Sequence, residues 1–485
     1  MIAPPAFDLA SFFPILILAL VGLAVLVLGT GPGASAYWNG RLALLGVVLA
    51  GFATAGLWTR PASPFPGALV LDRYSLGFAL LLLFACAVTL LCSFRDLDRI
   101  GPRSGEYCAL LLFAAVGMIV FTAATNLLVL FLGLEVLSIP LYILAGFRRE
   151  RRESIEAALK YFILGAFSTC FILYGIAFLY GAFGTLDLAR IGRILERVAD
   201  RGPAGYLHAG LGLLVVGFGF KIAAAPFHFW APDVYQGSPA PVTGFMAAAT
   251  KAAAFGALLR VLHLAFGAPG VRETWGQAFG LLAVATVVVG NLVALAQDDV
   301  KRLLAYSSIA HAGYLLIGVT VGTPEGVRAV LFYLCGYACM TLGAFGVVGF
   351  VGRREGEEEP ADHALADFAG LGRRRPLAAL AMSLYLLSLT GIPPTAGFLG
   401  KFYVFRAAVG AGLVPLAILG VVLSAVSAYY YLQIVVYMYM RAPAGAAPAA
   451  RPTGAEVLAI LLTAAGTLYL GLFPAPLWDL LAGLL

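Results

Sequence analysis

The feature that most limits how this chain can fold is a series of apolar stretches, each long enough to cross a bilayer, recurring from one end to the other. A helix needs roughly 20 mostly apolar residues to span the hydrocarbon. Fourteen such stretches can be marked, at about 10–30, 42–58, 76–94, 107–122, 126–147, 160–182, 207–230, 239–264, 276–296, 302–320, 326–350, 376–406, 412–437 and 454–473. Composition agrees. The chain is 61% hydrophobic and 12% charged, where a soluble domain carries roughly 25% charged residues, and its mean hydropathy is +0.94. The reading is an all-α membrane protein with about 14 transmembrane helices. The first stretch lacks a basic n-region and a small-residue cleavage site, so it reads as a retained helix, not a signal peptide.

The cations set the topology. The odd-numbered loops hold seventeen Lys and Arg and the even-numbered loops nine. The positive-inside rule then places the odd loops in the cytoplasm and both termini outside. Residues 187–201 resist this rule: they carry four arginines on the outer side with apolar positions at helical spacing, which predicts an amphipathic helix on the membrane surface or against a neighbour. The polar stretch 352–375 reads as a cytoplasmic, solvated linker, its Glu357, Glu358, Glu359, Asp362 and His363 better explained by solvent than by a metal. The net charge of +6 comes without a basic tail or an aromatic-rich basic stripe, so no nucleic-acid partner is expected. The six cysteines form no CxxC pair and read as packing residues. The chain shows neither a GxxxxGK[ST] loop nor a CxxCH haem site, so its energy must come from an ion gradient or a partner.

Two spans contain internal breakers: Pro226 and Pro232 in the seventh, Pro393 and Pro394 in the twelfth. Proline removes a backbone donor and clashes with the preceding turn. In lipid, the freed groups must be met by protein or by water in a cavity. The two broken spans lie five apart. Taking spans 4–8 as one unit and 9–13 as another, the odd number of spans makes the second unit enter from the opposite side, which is the logic of an inverted repeat. The segmentation is a three-helix segment at 1–106, a first five-helix repeat at 107–265, an inverted second at 276–440 and a C-terminal helix at 441–485.

A charge in hydrocarbon costs at least roughly 2.5–3.5 kcal/mol, so each intramembrane charge asks for a reason. Glu135 stands mid-span with no charged residue within a turn, so its partner must come from another helix. Lys221 precedes Pro226, Lys251 lies deep in the eighth span, and Lys401 follows the Pro393-Pro394 break. The competing readings are a protonated packing glutamate and lysines that snorkel to the interface, the latter weakest for Lys251. Lys160 reads equally as a surface ion pair with Glu156 four residues before it. His228 and His311 are relay candidates that also fit as hydrogen-bonded core residues. Asp233, Asp298 and Asp299 read as caps or loop ion pairs. Desolvation disfavours a buried ammonium and a nearby carboxylate favours it, so a series of lysines can pass protons without a cofactor.

Three stretches carry a family likeness: KIAAAPFHFWAPDVYQGSPAPVTGFMAAATKAAAF at 221–255, DDVKRLLAYSSIAHAGYLLIG at 298–318 and LSLTGIPPTAGFLGKFYVF at 387–405. On these the chain resembles the antiporter-like subunits of respiratory complex I, most closely the bacterial subunit N group, which has mitochondrial and plastid counterparts. The M-type is expected to have glutamate where Lys401 stands, and the L-type a long lateral helix for which 485 residues leave no room. The resemblance implies two inverted five-helix repeats with helices seven and twelve broken. It implies Glu135 and Lys221 as an input pair, Lys251 as central relay, Lys401 as exit, and Lys160 in the path. It also implies no cofactor in this chain, with FMN, iron–sulfur clusters and quinone in partner subunits, and neighbouring antiporter-like and small membrane subunits around it. The expected function is proton translocation in an NADH:quinone oxidoreductase. The alternatives are a subunit of a multi-subunit sodium/proton antiporter, a structural subunit with a dead pathway, and a small-molecule carrier.

Overall fold

The structure is a computed structural model that describes residues 8–31, 35–60, 62–198, 204–351, 363–442 and 452–484. The acidic run at 357–359, Asp362, and the last residues of the 187–201 stretch lie outside these. The chain starts with α1 (Phe13–Thr30) and α2 (Ala36–Gly56), a two-stranded antiparallel hairpin of β1 (Ala62–Phe65) and β2 (Leu69–Leu71), and α3 (Arg73–Ile100). Then come α4 (Ser104–Ala123), α5 (Leu127–Ala145), α6 (Arg152–Phe183) and a short α7 (Leu188–Val198). The seventh span is split into α8 (Ala204–Lys221) and α9 (Trp230–Gly237). The eighth is α10 (Ala240–Phe245) and α11 (Lys251–Leu264), joined by a π-helical turn at Met246–Thr250. There follow α12 (Pro269–Ala294), α13 (Val300–Val321), α14 (Pro324–Val351) and a short α15 (Leu371–Arg374). The twelfth span is again split, into α16 (Pro376–Thr390) and α17 (Ala396–Gly410). The described chain closes with α18 (Val414–Met440), α19 (Gly454–Leu472) and α20 (Ala475–Ala482).

Twelve of these helices are long and apolar enough to cross a membrane, counting α10 to α11 as one. The two expected spans missing from that set are the interrupted ones, whose first halves are shorter apolar helices. All fourteen stretches marked in the sequence are therefore present. The amphipathic helix appears as α7, with Leu188 and Ile191 buried and its arginines outward. The sequence reading had no place for the β1–β2 hairpin or for α20, both too short to leave a periodic signal.

Several helix starts carry a side-chain cap, which matters where water cannot serve the first amides. Asp72 accepts from Ser75 N at 2.8 Å ahead of α3, Asn126 from Leu128 N at 2.9 Å ahead of α5, and Asp299 from Arg302 N at 2.8 Å ahead of α13. At the first break the chain turns through Ala223 (φ 58°), a left-handed conformation that is uncommon for alanine. The amide of Ala225, freed by the break, donates to Thr286 Oγ1 on α12 at 3.0 Å. At the second break Gly391 takes φ 94°, and Gly397 N donates to Ser388 Oγ at 3.1 Å. Hydroxyls of a packed helix and of the preceding half-helix thus take up backbone donors freed at the breaks, as the hydrocarbon requires.

The depth of burial varies among spans. The α10–α11 span is buried throughout its apolar window, and α13 and α14 over 89% and 94% of theirs, whereas α1, α6 and α18 are each buried over 33%. The outer helices spend their remaining surface on residues such as Ile163, Phe167 and Tyr174 of α6, which suits lipid or a neighbouring membrane subunit. The buried spine α11–α13–α14 is where polar groups can be shielded.

Helices α12 and α13 cross at glycines. A methyl at Gly290 would stand 2.4 Å from Ala310 N, and one at Gly313 2.4 Å from Val287 Cγ2. Gly290→Leu must push backbone against backbone, beyond what rotamer changes relieve, so a destabilisation at or above the usual overpacking range of about 1–3 kcal/mol is expected. Thermal unfolding and assembled yield of the purified complex check this; an unchanged melting temperature would show that the crossing is looser than the geometry indicates.

Candidate functional site

The buried cations follow the interruptions in the helices. Lys221 is the last residue of α8, Lys251 the first after the π turn, and Lys401 sits just over one turn into α17, past the second break. They are 6%, 3% and 4% exposed. The oxygens that receive the ammonium groups come from serines on the neighbouring α5 and α13 for Lys221 and Lys251, and from the broken span's own carbonyls for Lys401.

Lys221 Nζ donates to Ser138 Oγ on α5 at 2.8 Å and lies 5.8 Å from the centre of the Tyr161 ring, which stacks on Trp230 at 4.6 Å. Ser138 stands three residues beyond Glu135. The Glu135 carboxylate is partly buried, its Oε1 without a hydrogen-bond partner, and it acts on Lys221 through space. The two residues expected to form an input pair are thus brought to one place, with a serine hydroxyl holding the ammonium.

Lys251 reaches across to α13, where it donates to Ser308 O and, at 2.7 Å, to Ser308 Oγ. Its ammonium stands 5.3 Å from the Tyr337 ring centre, a cation–π distance. Lys401 Nζ donates to Leu389 O at 2.9 Å, Thr390 O at 2.8 Å and Ser424 Oγ at 2.8 Å, with Tyr314 beneath it at 4.9 Å. Those carbonyls belong to the last residues of α16, the negative end of a half-helix, where a cation is favoured. All three lysines therefore donate to hydroxyl or carbonyl oxygens, an arrangement that serves an ammonium and a neutral amine alike.

His311 lies between Lys251 and Lys401, 1% exposed and within electrostatic range of both. Its Nδ1 is 2.6 Å from Tyr333 Oη and its Nε2 3.1 Å from Tyr431 Oη. Tyr431 Oη also bonds Ser307 Oγ, the neighbour of the Ser308 that holds Lys251. A neutral imidazole donates through one nitrogen and accepts through the other. Protonation on one side and release on the other moves a proton across the ring.

Lys160 differs. It is 40% exposed and pairs with Glu156 Oε1 and Asp233 Oδ2, both at 2.5 Å, while Asp233 Oδ1 binds Arg302 Nη1 at 2.6 Å. The i,i+4 pair is present, and Asp233 ties it to α9 and α13. His228 lies inside the first break, 7% exposed against Phe229, its Nδ1 buried without a hydrogen-bond partner.

Residues 124–427 match the family described as "NADH:quinone oxidoreductase/Mrp antiporter, TM". An NADH-quinone oxidoreductase subunit N from Trichlorobacter lovleyi is 45% identical over 96% of this chain and 95% of its own length. The chain belongs to the NADH-quinone oxidoreductase subunit N family. This member of the family is similar to a chain in respiratory complex I from Thermus thermophilus, at 40% identity and a TM-score of 0.81 over 96% of this chain and 98% of that one. It shares its fold with a chain of the Mrp complex from Dietzia sp. DQ12-45-1b, at 20% identity and a TM-score of 0.86 over 99% and 97% of the two chains.

Two buried cations of this subunit N relative are not singled out by the sequence, Arg260 on α11 and Lys301. Lys301, counted there as a topology-setting loop residue, is 1% exposed and donates to Gln236 O at 2.8 Å and Ser238 O at 2.5 Å, at the C-terminal end of α9. It holds the second half of the broken span as the α16 carbonyls hold Lys401. The signal was available: the half-helix ends at Gly237-Ser238-Pro239, leaving carbonyls without helical donors. The tyrosines around His311 escaped too, since a tyrosine in an apolar span reads as packing.

Proposed function

We propose that this chain works as the proton-translocating membrane subunit of an NADH:quinone oxidoreductase, with electron transfer from NADH to quinone carried out in partner subunits. FMN, iron–sulfur clusters and quinone belong to those partners, and this chain supplies no redox chemistry. The observation that carries the reading is a row of three buried lysines, each at an interruption of a helix and each held by oxygens that accept from either protonation state.

The route runs from Glu135 and Lys221 to Lys251, through Ser308, Ser307, Tyr431 and His311, and out at Lys401. A change of charge near Glu135, driven by the partners, alters the field on Lys221. In a low-dielectric interior that field is felt at the next lysine. Lys221 gives its proton toward Lys251, Lys251 gives one toward Lys401, and Lys401 releases one to the outer side. Lys160 and His228 stand beside the input end. The unit is read as two inverted repeats, at 107–265 and 276–440, with both chain termini on the outer face. The sodium/proton antiporter reading rests on the shared fold and is the second choice, because the long sequence likeness is to subunit N.

The test is the proton-to-electron ratio of the assembled complex in sealed vesicles. Lys221→Ala and Lys401→Met are expected to bring NADH-driven proton uptake close to background, whereas Lys160→Met, whose exposed ion pair contributes roughly 0–1 kcal/mol, is expected to keep most of it. Full stoichiometry in the first two variants sinks the reading. Sodium-dependent transport in a preparation lacking flavin- and cluster-bearing subunits would support the antiporter instead.

A further inference from the structure

Between His311 and Lys401 lies a polar junction that the proposed route does not explain. Asn291, fully buried on α12, donates through Nδ2 to Val287 O at 2.8 Å and to Tyr314 Oη at 3.1 Å, and accepts through Oδ1 from Tyr430 Oη at 3.1 Å. Tyr430 is the chain neighbour of Tyr431, its ring centre 4.4 Å away, and Tyr431 bonds His311. Tyr314 lies beneath the Lys401 ammonium and beside Ser424, which binds that ammonium. Asn291 therefore joins the His311 side to the Lys401 side.

The orientation of the amide is determined by chemistry. Val287 O can only accept, so the atom facing it is the nitrogen, and the oxygen must face Tyr430. Tyr430 is then obliged to donate to Asn291, and Tyr314 to accept from it and aim its own proton elsewhere. Both hydroxyls are locked in direction. A carboxamide is a poor carrier for the relay: its oxygen is far too weak a base to take a proton from a phenol, and release of an N–H after such a transfer would leave the high-energy imidic acid. The two tyrosines are held, and protonic continuity stops between them.

We propose that Asn291 is an insulating positioning residue, which fixes Tyr430 and Tyr314 and keeps this side branch from conducting protons in either direction, so that transfer between His311 and Lys401 stays on the route itself. The inference rests on the Lys251–His311–Lys401 route. Replacing the amide by a group that can both accept and release a proton closes the gap: the proton taken from Tyr430 by a carboxylate oxygen in Asn291→Asp, or by a hydroxyl and the space beside it in Asn291→Ser, can be passed on to Tyr314. Asn291→Leu removes the lock without supplying a carrier.

The experiment uses the assembled complex reconstituted in sealed vesicles, with passive proton conductance measured in the absence of NADH and the proton-to-electron ratio measured in its presence, both per assembled complex. N291D and N291S are expected to raise the passive conductance several-fold and lower the ratio while NADH oxidation continues. N291L is expected to slow pumping without raising the conductance, and the double variant N291D/Y430F to return the conductance to the wild-type level. Wild-type conductance and ratio in both N291D and N291S overturn the proposal, as does a leak in N291D/Y430F equal to that of N291D. Lys401→Met, run in parallel, separates the two levels: full pumping by K401M means the route itself is wrong, whereas loss of pumping by K401M with leak-free N291D and N291S means only the insulating role is wrong.

Discussion

Lys251→Met is expected to stop NADH-driven proton translocation in the assembled complex while leaving the fold largely intact. Methionine matches the length of the lysine stem and can rest against the ring of Tyr337, which the ammonium now faces. What is lost is the only part of the side chain that carries a proton. Ser308 loses a donor at both its carbonyl and its hydroxyl, a stability cost on the order of 1–3 kcal/mol that a large membrane bundle should tolerate. In the proposed route Lys251 lies between the Glu135–Lys221 pair and His311 with no branch around it, so the effect on pumping should be as complete as for any single residue. Electron transfer should slow as well, to the degree that the partners' redox steps are coupled to movement of charge in this chain. The decisive readout is the proton-to-electron ratio at matched NADH oxidation rate. A K251M complex that pumps at the wild-type ratio removes the central relay from the route.

The second large effect is on stability and lies away from the lysines. Arg260 on α11, its side chain 5% exposed, forms a two-pronged pair with Asp72, Nη1 to Oδ2 at 3.0 Å and Nη2 to Oδ1 at 2.7 Å, and its Nε donates to Thr122 O at 2.9 Å. Asp72 also caps α3, so this one pair ties α3 and α4 to the span that carries Lys251. Asp72→Ala strands a buried guanidinium. Breaking such a pair costs about 3–5 kcal/mol, and because Asp72 is 38% exposed the lower end is expected. Asp72→Leu with Arg260→Met removes both charges and should recover most of the loss. A D72A complex as heat-stable as wild type would reduce the pair to decoration.

The same pair predicts a pH dependence. Asp72 lies just outside the α3 span. Burial alone would raise its carboxyl, but the hydrogen bonds and charge of Arg260, with the donors of Ser75, outweigh it and hold the group below its ordinary value. A carboxyl depressed by folding contributes stability that is full above its unfolded value of roughly 3.9 and lost as pH falls through the folded one. Wild type should therefore lose thermal stability in acid faster than D72L/R260M, in which that titration is gone. Parallel acid profiles for the two would exclude the contribution.

How far the site could be read in advance depended on how each residue announces itself. A lysine or glutamate in twenty apolar residues is conspicuous because hydrocarbon penalises it, so Glu135, Lys221, Lys251 and Lys401 stood out from composition alone. The breaks were equally legible, since proline cannot continue a helix ladder. Lys301 was not, because a cation at a span's first turn looks like one facing water; whether it does depends on α9 folding back over it. Asn291, Tyr314, Tyr430 and Tyr431 were silent for another reason. Their significance lies in which hydroxyl meets which amide, and those atoms come from α12, α13 and α18, more than a hundred residues apart at the widest.

Local chemistry therefore decided the class of protein, the number of spans, the positions of the broken helices and four of the charged residues that hydrocarbon would not tolerate without a purpose. It did so because transfer to lipid and loss of a backbone donor are penalties a residue meets within its own helix. The tertiary structure decided what each charge touches: that Lys221 rests on Ser138 near Glu135, that Lys401 is held by the carbonyls of a half-helix, that Lys160 shares Asp233 with Arg302, and that an amide stands between the last two stations. Hydrogen bonds act over about three ångströms and carry no sequence period, so only the packed bundle could arrange them.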